Sequence, residues 1–191
     1  MKKHLESSEV INWKTPELLS AAKNLASAKS STEDIAQRCF TFVRDEIKHS
    51  LDYKLNPVTC KASDVLKYGT GYCYAKSHLL AALLRANNIP ASLCYQRLTI
   101  NGNTAPFCLH GLNAVFLEKY GWYRIDARGN SNDIDAGFCP PQEKLAFSIL
   151  HKGESDLLEN YSEPLPSVIN TLMTYDSYID VSNSLPDIEP T

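Results

Sequence analysis

Residues 69–90 read GTGYCYAKSHLLAALLRANNIP. Glycines crowd the entry, a cysteine follows at once, and a helical period then runs without a break to a proline. No other stretch restricts the fold so strongly. Ala75, Leu79, Ala82, Leu83 and Ala86 share one face of a helix from Tyr72 to about Asn87. Asn87-Asn88-Ile89-Pro90 ends it, because the residue before proline avoids helical dihedrals. Gly69 and Gly71 are expected to adopt backbone angles closed to other residues and to turn the chain sharply into the helix. Cys73 then lies in the first turn, where unpaired N–H groups and the positive end of the helix dipole favour an anion. A thiol there gains thiolate character, which a nucleophile needs. The same N–H groups can donate to an oxyanion beside the sulfur. A cysteine buried near a helix start for packing alone is the competing reading.

Around this segment the pattern changes character once. Thr15-Pro16-Glu17 predicts a helix start with threonine as cap. Ser31-Thr32-Glu33-Asp34 predicts a second, with a capping box between Ser31 and Asp34. Ile35, Cys39, Val43 and Ile47 then recur at four-residue spacing beside Ala36 and Phe40. Residues 49–60 read as a loop, and Ala62 to Tyr68 as a short helix. Beyond Pro90, the composition favours strands at Ala91–Ile100, Leu112–Leu117, Trp122–Ala127 and Leu145–Leu150. Turns are expected at Asn101-Gly102-Asn103 and Lys119-Tyr120-Gly121. Helices first and an antiparallel sheet second imply an α+β fold. The expected organisation is one domain over 1–191, with a core at about 32–150 and an extension, 151–191, packed on it. The extension carries a helix near Ser167–Tyr178 and ends in a loose SNSLPDIEPT.

Composition sets bounds on this. A chain of 191 residues with 43% hydrophobic content can fill a single core. A net charge of −3 offers no footprint for nucleic acid or an anionic membrane. No run approaches the roughly 18–20 apolar residues of a membrane span. Lys2 and Lys3 are followed by polar residues, so no signal-peptide apolar region appears and the expected location is cytoplasmic. The six cysteines, Cys39, Cys60, Cys73, Cys94, Cys108 and Cys139, are spread through a core-forming chain without a CxxC pair. They read as mostly free thiols, with neither a metal site nor a cofactor implied.

A nucleophile needs a base. LHGLNAVFLEKYGWYRIDARGN, residues 109–130, reads as two strands joined at Lys119-Tyr120-Gly121. His110 and Asp126 are 16 residues apart. A hairpin centred on Glu118 would set them directly opposite on one face, roughly 4.5–5.5 Å apart at Cβ. A one-residue slip in one strand would send them to opposite faces. If the register holds, Asp126 fixes the imidazole tautomer and His110 turns its other nitrogen to Cys73, a Cys-His-Asp triad. A core histidine, and an aspartate paired with Arg124 or Arg128, are the simpler readings of the same residues. Lys76 could steady a thiolate, although solvated helix lysines are the norm, and His78 projects about 140° away from Cys73. His49 lies in the loop before the nucleophile, with nothing in the sequence to orient it. Asn113 is the alternative orienter to Asp126.

The segment from Gly71 through Cys73 and Ala75 to Arg85, Ala86, Ile89, Pro90 and Ala91 resembles the nucleophile segment of the transglutaminase-like superfamily. FVRDEIKHSLD and KASDVL are similar to the lead-in helices of its bacterial members. His110, Trp122 and Asp126 resemble its histidine strand and tryptophan-bearing return strand. The matching blocks run in order from about residue 35 to 130. The resemblance implies a papain-like fold and attack of Cys73 on an amide or related acyl carbon, with His110 as acid and base and a thioester intermediate. The partner implied is a peptide or protein amide, with water or an amine as acceptor, and calcium is not implied. The chain departs from many relatives at His110-Gly111-Leu112-Asn113 and at Asp126-Ala127-Arg128, beside the site. Tyr53, Asn56 and Tyr72 are the candidates for the oxyanion or substrate contact. A non-catalytic binding module on the same scaffold and an arylamine-acetyltransferase-like acyl transfer are the alternatives.

Overall fold

The computed structural model describes residues 1–26 and 30–188. Pro16 stands in the first turn of α1 (Pro16–Leu25), although the Thr15 side chain makes no cap bond. The capping box forms at the start of α2 (Thr32–Glu46). Asp34 N–H donates to Ser31 Oγ at 3.1 Å, and Ser31 N–H donates back to Asp34 Oδ2 at 2.9 Å. Ala36, Cys39, Phe40 and Val43 form its buried stripe, as the four-residue period requires.

Residues 49–60 are more ordered than a loop. β1 (Lys48–His49) leads into one helical turn, α3 (Ser50–Tyr53), and α4 (Ala62–Tyr68) follows where the periodicity placed it. β1 pairs in parallel with β2 (Thr70–Gly71), matching Lys48 to Thr70 and His49 to Gly71. Two-residue strands leave almost no compositional signal, so the sequence concealed them. Gly69 meets the expectation of a left-handed residue, with φ +65° at the end of α4. Gly71 does not. It is required for space, since a Cβ there would lie 3.0 Å from Ala75 Cβ and 3.1 Å from Thr59 Oγ1.

The helix of the opening segment is α5 (Cys73–Ala86). The sequence predicts one apolar face, yet every residue from Cys73 to Arg85 is buried. Helices α1, α2 and α4 cover one side, and the sheet covers the other. Its polar residues are therefore all engaged. Lys76, expected to be solvated or to face the thiol, donates instead to the carbonyls of Ile47 and Arg44 at the end of α2. A lysine there meets carbonyls that the helix leaves unpaired. Burial, with Arg128 nearby, pulls its pKa down to about 7. His78 is bonded through Nδ1 to Cys60 O at 2.8 Å and does not approach Cys73. Asn113 donates to Ser77 O and Ser92 O, tying the sheet to α5, so it is not an orienter of His110.

The sheet is antiparallel, in the order β5 (Gly121–Ile125), β4 (Phe107–Leu117), β3 (Ala91–Thr99), β8 (Ser155–Asp156). A small hairpin, β6 (Gly137–Cys139) with β7 (Gln142–Lys144), precedes the last of these strands. β4 begins at Phe107 rather than Leu112, so His110 lies within the strand. Alternation decides the two faces. Leu93, Tyr95, Leu109, Val115, Tyr123 and Ile125 join the main core, while Cys94, Leu112 and Ala114 form a second, smaller cluster with Trp122. The strand expected at Leu145–Leu150 is absent: residues 145–150 are irregular backbone. Their alternating composition serves a cleft wall, described below, instead of a sheet.

The helix expected near Ser167–Tyr178 is two, α6 (Pro166–Thr174) and α7 (Tyr178–Ser182). The tail beyond them is anchored to residue 188. Arg97 grips Asp187 with two bonds of 2.7 Å, and Leu109 N–H donates to Pro186 O at 2.7 Å. The expectation that SNSLPDIEPT is loose misses this, because the anchor is an arginine on a strand far away in sequence. Residues 189–191, the rest of that tail, lie outside the described residues. Among the described residues, no helix is long and apolar enough to cross a membrane.

Candidate active site

Three elements converge on Cys73. It is the first residue of α5, with Tyr72 as the cap position and the first intrahelical bond running from Lys76 N–H to Tyr72 O. The N–H groups of Cys73, Tyr74 and Ala75 have no partner within the helix, so the sulfur lies at its positive end. β4 passes close by at Gly111. A Cβ on that residue would meet Tyr74 N at 3.2 Å, Tyr74 Cα at 3.1 Å and Tyr74 Cδ1 at 3.0 Å. Glycine is what allows this approach, and it brings Gly111 N–H to 3.4 Å from Cys73 Sγ.

The hairpin between β4 and β5 is centred one residue beyond Glu118. Leu117 pairs with Gly121 and Asn113 with Ile125. Asp126, one step past that ladder, therefore sits diagonal to His110 and not directly opposite. The shift moves the register by two, which preserves the face. Diagonal neighbours remain within reach of an imidazole, and His110 Nε2 lies 2.7 Å from Asp126 Oδ2.

Asp126 is completely buried and accepts two further bonds. Arg128 N–H donates to Oδ1 and Ala146 N–H to Oδ2, each at 3.1 Å. Arginine side chains do not explain it. Arg124 binds Glu143 and Asp156, and Arg128 reaches Asp52. Burial opposes ionisation of Asp126, but the His110 charge and the backbone donors outweigh it and hold the carboxyl below its usual range. With Nε2 committed to Asp126, His110 presents Nδ1 to Cys73. Phe147 stands edge-on against the ring, with centroids 4.9 Å apart.

The electrostatics follow from this packing. Burial works against a thiolate at Cys73, but the His110 imidazolium overcomes it, and His49 adds to the effect, pulling the thiol down to about 6. Burial likewise opposes charge on His110, while Asp126 and the Cys73 sulfur favour it and push its pKa up to about 10. Between those values the pair is thiolate and imidazolium. Four of the other thiols behave in the opposite way. Burial raises Cys39, Cys94 and Cys108 to about 12 and Cys60 to about 11.

The pair opens into a cleft of about 570 Å³. Leu51, Leu98, Ile100, Phe147, Leu150 and Leu185 give it a mostly apolar lining. Ala146, Phe147, Ser148, Leu150, His151 and Leu185 thus place parts of the C-terminal third of the chain at its rim.

Of the three residues suggested for the oxyanion or substrate contact, one reaches the cleft. Tyr72 lines it, but its hydroxyl donates to Tyr178 O. Tyr53 is 55% exposed and lies against the Lys48 ammonium, 5.3 Å from its ring centre. Asn56 is turned to α7, accepting from Tyr178 N–H at 2.8 Å. Both lie on the outer surface, at and just after the α3 turn. The residue that the sequence left without an orientation is His49. Pairing with Gly71 fixes its backbone two residues before Cys73, and its ring lines the cleft, within hydrogen-bonding reach of the thiolate. The clue in the sequence was Asp52, three residues on, which faces His49 Nδ1 at 3.3 Å.

A family model, described as the transglutaminase-like superfamily, matches residues 20–127. That span includes Cys73, His110 and Asp126. Among solved structures, a candidate cysteine protease from Cytophaga hutchinsonii is similar at 19% identity and a TM-score of 0.52, over 65% of this chain and 40% of that one. The periplasmic domain of TgpA from Pseudomonas aeruginosa is similar at 18% identity and a TM-score of 0.47, over 65% of this chain and 45% of that one. The same domain bound to ethylmercury gives 17% identity, a TM-score of 0.47, and coverage of 65% and 46%. The aligned part is less than half the length of each of these structures. At 19% identity the likeness to the first of these is one of fold. No curated protein matches the chain.

Proposed function

The chain belongs to the transglutaminase-like superfamily, and from that premise we propose that it is a cysteine enzyme of acyl transfer, with Cys73 as nucleophile, His110 as acid and base, and Asp126 as the orienter of His110. The observation that carries this reading is the buried His110–Asp126 pair, 2.7 Å between Nε2 and Oδ2, facing a thiol at the N-terminus of a helix. Electrostatics support it, since Cys73 is pulled down to about 6 while four other thiols are pushed up.

The steps follow from the groups present. The Cys73 thiolate attacks the acyl carbon of an amide, and the carbonyl π-electrons move to oxygen. The helix N-terminus supplies donors for that oxyanion. Collapse of the intermediate breaks the C–N bond as His110 Nδ1–H protonates the leaving nitrogen. A thioester on Cys73 and a neutral His110 remain. His110 then takes a proton from water or an amine as that acceptor attacks, and the thiolate is expelled. With water the result is hydrolysis, and with an amine it is transamidation. The substrate we propose is a peptide or protein amide, whose acyl side meets the apolar cleft.

Trapping of the thioester tests this. On brief incubation with p-nitrophenyl acetate, followed by acid quench and peptide mapping, the acetyl group is expected on Cys73 above all other cysteines. Hydroxylamine should discharge it, and His110→Ala should lower its rate of formation by about 10²–10⁴-fold. Acetylation spread evenly over the accessible thiols, or unaffected by His110→Ala, would overturn the proposal.

A further inference from the structure

The mechanism above uses one histidine at the sulfur, but two are present. His49 reaches Cys73 from a different element, β1, and is held in place on several sides. Its backbone is fixed by the ladder to Gly71, its side chain is 6% exposed, and its ring packs edge-on against Tyr72 with centroids 5.4 Å apart. Nδ1 faces Asp52 Oδ1 at 3.3 Å. Asp52 is in turn held by Arg128, whose two terminal nitrogens donate to its two oxygens at 2.8 and 2.9 Å. The backbone N–H of the same Arg128 donates to Asp126. One residue therefore braces both carboxylates, and two carboxylate–histidine pairs flank one sulfur.

With Nδ1 turned to Asp52, Nε2 is the atom left to face the site. A second base would be redundant beside His110, since formation of the thioester needs only one proton relayed from sulfur to nitrogen. A donor is not redundant. The oxyanion forms on the carbon bonded to Sγ, so it develops within reach of groups already gathered around that sulfur. The helix N-terminus supplies backbone N–H, whereas Tyr53, Asn56 and Tyr72 do not offer a free side-chain donor to the cleft.

We infer that His49 is a second catalytic histidine, which donates Nε2–H to the oxyanion while Asp52, braced by Arg128, holds its ring in place. The inference rests on the thioester reading above and names the side chain that completes it. No proton is transferred in this role. The hydrogen bond from Nε2 passes from the thiolate to the carbonyl oxygen as negative charge moves from sulfur to oxygen, and it returns when the intermediate collapses.

Two probes of Cys73 separate this role from mere support of the thiolate. Iodoacetamide alkylation is a displacement at carbon with no oxyanion, whereas acylation by p-nitrophenyl acetate passes through one. Each is measured on the alkaline plateau of its own pH profile, so that the thiolate fraction does not enter. His49→Ala is expected to lower the plateau of acylation by about 10²–10³-fold, the effect of losing one oxyanion donor, and to lower that of alkylation far less. His49→Gln, which keeps a donor, should recover part of the acylation rate, and Asp52→Asn should fall between wild type and His49→Ala. Unchanged melting temperatures would show that the folds are intact. Equal loss in both probes, or no loss in either, overturns the assignment. If His49→Ala does not fold, the Gln and Asn variants decide by the same ratio of the two plateaus. Wild-type protein inert to both probes would instead sink the thioester reading itself, and the His49 role with it.

Discussion

Asp126→Asn is expected to lower the second-order rate of acyl transfer by about 10⁴-fold, with the fold kept. The substitution conserves volume, and Arg128 N–H, which donates to Oδ1, can still bond to the amide oxygen, whereas Ala146 N–H, which shares Oδ2 with His110 Nε2, loses its acceptor. The amide nitrogen would then face His110 Nε2 and donate to it. That reverses the tautomer: Nδ1, the atom presented to Cys73, would carry the proton in the neutral ring and could not accept another. The counter-charge is lost as well. His110 is held up at about 10 partly by Asp126, so its pKa should fall, and the thiol should rise from about 6 towards the ordinary range near 8.5. At pH 7 the thiolate therefore becomes a minority species. Steady-state rates with an activated ester, and titration of Cys73 by alkylation, measure the two effects separately. A loss below about tenfold in the variant would mean that Asp126 merely fills space.

Arg85→Met should be the most damaging change away from the site, lowering the free energy of unfolding by about 3–5 kcal/mol. The guanidinium is fully buried. It donates through Nε and one terminal nitrogen to Ala91 O, at 3.2 and 2.9 Å, and also to Glu6 O at 2.9 Å and Ser162 O at 2.7 Å. These carbonyls belong to the N-terminal segment, the start of β3 and the C-terminal segment, so one side chain ties three regions to the end of α5. Burial draws its pKa down to about 10, which still leaves it charged at neutral pH. Methionine fills most of the space and abandons three acceptors, Ala91 O buried and the other two part-buried, each worth up to about 1–3 kcal/mol. Against a usual stability of about 5–15 kcal/mol, that is a large fraction. The midpoint of urea unfolding reads the change, and Arg85→Lys should recover only part of it, because an ammonium lacks the forked geometry. A shift under about 1 kcal/mol would show that water can replace these bonds.

The sequence made some of this legible and hid the rest for physical reasons. Helices α2, α4 and α5 could be read because burial repeats with the helical period and because caps are local chemistry, as at Ser31 and Asp34. The order of helices before strands carried the α+β class, and the likeness of the Cys73 segment to a family carried the papain-like fold. The pairing of His110 with Asp126 on one face was also readable, although its register was not. Turn geometry moved the hairpin centre by one residue, and the parity of the sheet hid the error. What escaped was set by contacts distant in sequence. His49 is positioned by a two-residue strand, Lys76 is buried by the end of another helix, and Asp187 is captured by Arg97. Gly71 and Gly111 illustrate the limit well. Both are needed for close approach, and the residues they accommodate, Thr59 and Tyr74, can be identified only once the chain is folded.

The acyl-transfer chemistry proposed for Cys73 depends on an ion pair with His110. The most direct measurement is the pH dependence of iodoacetamide alkylation, mapped by mass spectrometry for each cysteine, in wild type and His110→Ala. A folded thiol with lowered pKa gains reactivity as pH rises through that value. Cys73 is therefore expected to turn on near pH 6, and the other buried thiols only far above it. In His110→Ala the Cys73 profile should move up by about two units or more, towards the free-thiol value. A Cys73 that titrates like the other cysteines, or one whose profile is unchanged without His110, would contradict the ion pair. The scaffold would then read as a binding module.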